Sequence, residues 1–327
     1  MKPSIPGRYA LSVCTAALLA ACGGSQPPIG APSAMPQSSQ TREIVQARSL
    51  GPAYKVSGAL LYATNQFNSK NWDGVTIYRA DAKDPAPLAK ISDGLELPLG
   101  MCIDGQGTLY VTNEPASGGW VSEYPLGKTT PSKVITDGIN EPAYCAIDGK
   151  GNLWVSNYGG RNVTEYLTGS KKPHAVITTG VTAPVGIAFD PSGNLHVGNF
   201  INSSEGNVQV YAPGTESPSR TITKSVTSPR GLAVDLNGTL YVTNVLQNDV
   251  AEYPSGKDEP FQTITKAMDR PAGVTVDKKG LLYVSNTGNS TVVEFALGSL
   301  TPLKRKISKG LYEPNGIAYY PPLAASR

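Results

Sequence analysis

The sequence predicts an all-β protein, a six-bladed β-propeller of four-stranded antiparallel blades. Three observations carry this. First, a unit that reads as strand end, tight turn and second strand recurs as Asp104 to Asn113, Asp148 to Asn157, Asp190 to Asn199, Asp235 to Asn244 and Asp277 to Asn286, and an incomplete copy ends at Asn65. Second, the terminal asparagines are 48, 44, 42, 45 and 42 residues apart (65→113→157→199→244→286). A period near forty made of strands is that of blades, since one such unit cannot bury its apolar faces alone and a ring of them can. Third, Gly 35 and Pro 27 are high and charged residues make up only 16% of the 327, a turn-rich β composition that a single ring accommodates at this length.

The first 21 residues read as a targeting segment, outside the fold. Lys2 and Arg8 supply a positive region, and Tyr9 to Ala21 an apolar stretch too short to span a membrane. It ends in Leu19-Ala20-Ala21-Cys22, which resembles a bacterial lipobox. The resemblance implies cleavage before Cys22 and lipid attachment to it. Gly23 and Gly24 follow with no Asp directly after the Cys, which by the same resemblance favours the outer membrane if the source is Gram-negative. Losing Lys2 and Arg8 takes the formal charge from +3 to about +1. A near-neutral chain without a basic run gives no electrostatic case for nucleic acid, so membrane contact falls to the lipid alone. Residues 22–52 are rich in Gly, Ser, Pro, Gln and Ala, too poor in apolar surface to order themselves. They read as a tether with an end-to-end distance of roughly 30 Å, ahead of a propeller over residues 53–323.

Each full unit carries four strand signals. Pro-x-Gly, an apolar run and Asp form the first: Pro98 to Asp104, Pro184 to Asp190, Pro229 to Asp235 and Pro271 to Asp277, with Tyr144 in the glycine's place in Pro142 to Asp148. The second is Leu-aromatic-Val-x-Asn and the third Val-x-x-aromatic, as in Val121 to Tyr124. The fourth is short and polar, as in Thr221-Ile222-Thr223, which suits an outer edge. Alternation over four to six positions is the strand period. The Asp-x-x-Gly joins read as hairpins with a bulge, Asp accepting turn amides and Gly in the left-handed position. The first unit, Gly58 to Tyr62, lacks an inner strand, and a spare one sits at the far end in Pro314 to Tyr320. Pairing the C-terminal strand with the first blade closes the ring and removes the sheet edge.

These Pro-x-Gly-Ile-Ala-x-Asp and Gly-Asn-Leu-x-Val-x-Asn units resemble the NHL-repeat propellers and the related SMP-30/gluconolactonase and streptogramin lyase groups over about residues 56–321. The likeness implies the architecture and leaves activity open. In lactonase-like members it implies metal-binding Asn and Asp at the x of Pro-x-Gly; in the lyases, a catalytic His at a comparable place. Here the six x positions are Leu99, Ala143, Val185, Arg230, Ala272 and Asn315. Four are apolar, and one Asn does not make a divalent site. Neither pattern is preserved, so we expect no metal, no cofactor and no catalytic residue of those types.

The two histidines offer no base for a Ser-His-Asp constellation: His196 occupies the aromatic position of a second strand and His174 the start of an outer strand. Glu123, Glu165, Glu252 and Glu294 recur at one third-strand position, as a repeated structural contact would. Cys102 and Cys145 lie on neighbouring inner strands, offset by one register position. Their side chains therefore point to opposite sheet faces, which meet between adjacent blades. A disulfide, favoured by export, and two buried free thiols both fit.

In propellers the loops entering the inner strands and following the second strands open on one face. The first set offers Glu141, Tyr144, Arg230, Arg270, Glu313 and Asn315. The second offers the six asparagines, followed by Gln66, Glu114, Tyr158, Phe200, Val245 and Thr287. The asparagines read as strand-end caps. Tyr144, which breaks a glycine pattern, and Arg230, the one charge among the x positions, are the leading ligand candidates, with Asn315, Glu141, Arg270, Glu313 and Tyr158 around them. The expectation is a lipid-anchored extracytoplasmic binding or scaffold module for a small polar ligand or protein partner. The rivals are a lactonase- or lyase-like enzyme with an atypical site, and a purely structural envelope protein.

Overall fold

A computed structural model describes residues 54–65, 74–115 and 118–323. The signal segment, the tether and Cys22 lie outside the described residues, as does Gln66. Six four-stranded antiparallel sheets follow one another around a ring. Blade 3 shows the common plan: inner strand Pro142–Ile147, second strand Leu153–Asn157, third strand Asn162–Tyr166 and outer strand Ala175–Ile177. Blade 1 is assembled from both ends of the ring. Ile317–Tyr320 is its inner strand and pairs with Leu60–Asn65 in the register Leu60↔Tyr320, Leu61↔Tyr319, Tyr62↔Ala318 and Ala63↔Ile317.

The inner strands run from a face bearing the asparagines, the mouth face, to a face bearing the Asp-x-x-Gly turns, the turn face. Along them the glycine of Pro-x-Gly is a steric requirement. A Cβ at Gly100 would lie 2.5 Å from the Ala143 carbonyl oxygen of the next blade, and one at Gly186 would lie 2.6 Å from that of Arg230. Backbones pass too closely at the axis for any side chain directed that way.

A second-strand hydroxyl stitches each of these approaches. Thr112 Oγ1 accepts from Gly100 N and donates to Ala143 O of the next blade, both at 2.8 Å. Ser156 does the same for Tyr144 N (2.9 Å) and Val185 O (2.6 Å). Thr243, Ser285 and Thr64 repeat the arrangement, Thr64 across the closure to Leu99 O. Blade 4 has Gly198 at this position, and the Leu232 side chain fills the space a Cβ would take.

Four other repeated side chains also serve the frame. Each asparagine is at most 1% exposed and accepts from an amide in the loop entering its own blade, as Asn113 does from Glu96 N at 2.9 Å and Asn244 from Thr227 N at 3.0 Å. The third-strand tyrosines donate to a carbonyl of the preceding blade's last loop: Tyr124 to Asp93 O and Tyr166 to Asp137 O, both at 2.6 Å. The turn aspartates accept two amides, as Asp104 does from Gln106 N and Thr108 N. Their second oxygen takes the polar tip of the second-strand aromatic, Tyr110 Oη at 3.3 Å. His196 stands at that aromatic position and places Nε2 3.3 Å from Asp190 Oδ2. The recurrent glutamates reach partners within their own blades: Glu123 meets Lys133 at 3.0 Å, Glu165 meets Asn152 at 3.0 Å and Glu252 meets Gln262 at 2.9 Å.

Between blades the core is apolar. Leu60, Tyr62, Val75 and Ile77 of blade 1 pack on Met101, Ile103, Leu109 and Val111 of blade 2, each fully buried side chain stabilising by roughly 1.5–3 kcal/mol. Cys102 and Cys145 are disulfide-bonded across the gap between blades 2 and 3, with Cα atoms 5.6 Å apart.

Candidate functional site

The channel mouth is where the six-fold pattern breaks down. Tyr144 replaces the inner-strand glycine of blade 3. Its ring packs with Leu99 and Ala143 over the axis, and half-buried Tyr158 lies against this cluster. Tyr144 is 7% exposed, and its hydroxyl is buried without a well-formed hydrogen bond. The Arg230 guanidinium of blade 5 lies beside it. Burial pushes the Tyr144 phenol pKa up, the Arg230 charge works against that rise, and Glu114 adds to it.

Arg230 reaches across blade 6 to blade 1, donating from Nη2 to Asn315 Oδ1 at 3.4 Å. It can do so because blade 6 presents only Ala272 there, which is fully buried. Glu114 comes from the blade 2 loop after Asn113. Burial raises its carboxyl pKa, Arg230 opposes the rise and Glu141 increases it. Tyr144, Arg230, Asn315 and Glu114, from four different blades, therefore share one electrostatic environment at the axis.

The other predicted residues surround this group. Glu141 approaches Gly159 with its carboxylate and accepts Tyr158 N at 2.9 Å through its carbonyl. Arg270 is half-buried, and its carbonyl accepts Thr287 N at 3.0 Å. Glu313 is exposed on the rim. Glu141, Arg270 and Glu313 all have left-handed backbone, with φ of 47°, 54° and 41°. Each sits directly before a proline, where that conformation is disfavoured for a side chain with a Cβ. The strain lies on the ring of loops around the mouth.

Glu114 is the member that residue-by-residue reading leaves among the loop positions. Its signal is its place directly after a capping asparagine on the side that Arg230 faces. Gly198 also escapes notice, although its signal is plain: the residue before each asparagine but one is Thr or Ser at positions 64, 112, 156, 243 and 285, and the sixth is glycine. With Tyr144 and Arg230 it completes a run of irregularities over blades 3, 4 and 5. Among the described residues no group of three or more His, Cys, Asp or Glu is placed to hold a metal ion.

Comparison with known proteins agrees with the architecture. The NHL repeat family model matches residues 268–295. This is the loop into blade 6 and its first three strands. No curated protein sequence matches the chain. Among solved structures, a nidogen/laminin complex contains a chain similar at TM-score 0.67 and 16% identity, over 80% of this chain and 98% of that one. A protein of unknown function from Bacteroides caccae matches at TM-score 0.63 and 14% identity, over 80% and 99%. A protein from Bacteroides uniformis assigned as a 6-phosphogluconolactonase matches at TM-score 0.57 and 16% identity, over 78% and 84%. At such identities the likeness is one of fold.

Proposed function

We propose that the protein is a lipid-anchored, extracytoplasmic binding module that takes a small polar ligand or a projecting protein loop at the mouth of its propeller. The observation that carries this is the convergence of Tyr144, Arg230, Asn315 and Glu114, the residues that break the repeat, on one spot at the axis. Side chains needed for the ring recur in most blades; a group that occurs once and gathers a buried hydroxyl, a guanidinium, an amide and a carboxyl is suited to recognition. Arg230 and Asn315 would meet acceptors on the ligand, Glu114 its donors, and the Tyr144–Tyr158 surface its apolar edge.

The ring geometry fits attachment through the N-terminal segment. Tyr54 enters on the turn face, donating from its amide to Gly127 O at 3.1 Å and sharing a hydroxyl bond of 2.8 Å with Tyr62. This entry point is on the face opposite the mouth. The nidogen/laminin likeness supports a binding role for the fold in general terms. Against a lactonase-like site stand Leu99, Ala143, Val185 and Ala272, apolar and at most 2% exposed at four of the six inner-strand starts.

Two measurements test the reading. A panel of small polar compounds is screened by thermal shift on the wild type, on Arg230→Met and on Tyr144→Phe. The expected result is compounds that stabilise the wild type and lose that effect in both variants; a panel that shifts all three proteins equally, or none, overturns the mouth as the site. Separately, Cys22→Ser is expected to move the protein from the membrane to the soluble extracytoplasmic fraction, and unchanged membrane retention defeats the anchor.

A further inference from the structure

The closing blade lacks a part that every other blade has. Its inner strand ends at Tyr320 and its second strand begins at Leu60, far apart in the chain, so no Asp-x-x-Gly turn joins them. Toward blade 2 the gap is covered by the entering chain, whose Tyr54 bonds Gly127 O and the Tyr62 hydroxyl. Toward blade 6 it stays open as a cavity of about 260 Å³. The corresponding space between blades 2 and 3 shows what is missing. There Lys133 Nζ donates to Gly169 O at 3.2 Å, and the adjacent Thr168 donates to Gly151 O, in blade 3's own turn, at 2.8 Å. Between blades 6 and 1, Arg305 makes the same reach, from Nη1 to Asp81 O at 3.4 Å, but the adjacent residue is Ala80 and there is no turn for it to meet.

We propose that this cavity binds a small zwitterion, one molecule carrying an ammonium and an anionic group, the class of free α-amino acids and of ethanolamine phosphate. At ~30 Å³ per water molecule it has room for about eight waters, which suits a ligand of that size. Its floor is buried and fixed. Tyr283 stacks on Tyr319 of blade 1, both at most 7% exposed, and Tyr283 Oη donates to Asp277 Oδ2 at 3.4 Å. Tyr319 stands where the other inner strands have Ile103, Ile147, Phe189, Val234 and Val276, so this gap alone carries a second phenol. Arg305 is held by buried Glu294, its Nη2 2.6 Å from Glu294 Oε2. A guanidinium has five N–H donors, so Arg305 keeps others for an anion. At the rim, exposed Lys279 of blade 6 and exposed Asp81 of blade 1 line the same cavity, and neither has an ion pair among the described residues. An anionic group set on Arg305 and Lys279 leaves an ammonium on the same molecule to meet Asp81, and a ligand with one charge answers only half of the site. The cavity lies on the turn face, away from the mouth, so the inference stands apart from the function proposed above.

Calorimetric titration of the full chain with L-leucine, L-serine and O-phosphoethanolamine tests it, with acetate, ethylamine and inorganic phosphate as controls of one charge. At least one zwitterion is expected to bind, one per chain and roughly tenfold tighter than any control or more. An amino acid as the tightest binder identifies a carboxylate ligand, and O-phosphoethanolamine a phosphate one. Lys279→Gln and Asp81→Asn, both at exposed positions, should each weaken binding roughly tenfold and leave the melting temperature of the free protein unchanged. Ala80→Leu gives blade 1 the residue that Leu126 and Leu297 supply at the corresponding place, and it should fill the cavity and abolish binding. Arg230→Met at the mouth should leave binding intact. Three zwitterions that do not bind, controls that bind as tightly, binding that survives Lys279→Gln, Asp81→Asn or Ala80→Leu, or binding lost in Arg230→Met each overturns the proposal.

Discussion

At the scale of single residues, the departures from the repeat are informative because its conserved members are so fully explained. Tyr166 Oη donates to Asp137 O at 2.6 Å; Tyr166→Phe should lose about 1 kcal/mol of stability. Blade 6 has Phe295 where the other blades have tyrosine, so no hydroxyl reaches Lys266 O there. Phe295→Tyr should add the missing bond and raise the melting temperature by roughly 2 °C, a gain of about 1 kcal/mol in a domain of this size. Titration gives a further test. Burial alone would raise the Asp190 carboxyl, but hydrogen bonds from His196 and Asn194 outweigh it and hold the pKa at about 2, below the ordinary 3.8. A carboxyl depressed in the folded state contributes stability above its unfolded pKa and loses it as pH falls through the folded one. Asp190→Asn should therefore flatten the part of the stability profile that the wild type loses between about pH 4 and pH 2, as followed by denaturant midpoints. At the mouth, Arg230→Met removes the charge that restrains Glu114, and the Glu114 carboxyl, titrated by NMR, should move higher still.

Between residue and ring stands the blade, which its sequence describes well on its own and poorly in relation to its neighbours. The alternation of each strand, the Asp-x-x-Gly turns and the outer polar strand are local patterns, and each appears where the sequence places it because period-two burial and a left-handed glycine are decided within ten residues. Tyr144 and Arg230 were legible for the same reason, as exceptions to a pattern visible in one unit. Glu114 and Gly198 were not, since one depends on an arginine arriving from three blades away and the other on a hydroxyl stitch that joins adjacent blades. The disulfide lies between these cases: the one-residue offset of Cys102 and Cys145 shows that they could meet, and only the blade spacing shows that they do. With a separation of 43 residues it restrains the unfolded chain enough to contribute about 4 kcal/mol on the chain-entropy estimate. Cys102→Ser with Cys145→Ser should lower stability by about that amount, and reductant should then leave the melting temperature of the double variant unchanged while lowering that of the wild type.

For the whole molecule, the decisive contact is the one that makes a ring of an array. Residues 317–320 supply four register pairs to the first blade, Gly316 N bonds Thr64 Oγ1 at 2.7 Å, and Tyr319 stacks on Tyr283 of blade 6 with centroids 5.5 Å apart. Without this strand, Leu60 to Ala63 becomes an open, wholly apolar sheet edge, and blades 6 and 2 lose the backbone between them. A chain ending at Glu313 should therefore lack a cooperative unfolding transition and aggregate, where loss of a dispensable tail would leave the midpoint unchanged. Truncation alone cannot separate lost closure from general misfolding, so a permuted chain completes the test. Residues 314–320 are joined to Leu60 through the Asp148 to Asn152 turn of blade 3, making the first blade continuous and leaving the new ends between blades 6 and 1. Because the same four pairs are then formed within a hairpin instead of across the chain, this protein should fold cooperatively and refold faster than the wild type, whose closing contact spans 252 residues. A permuted chain that fails to fold, or a truncated one that melts like the wild type, would show that the terminal strand does not close the ring.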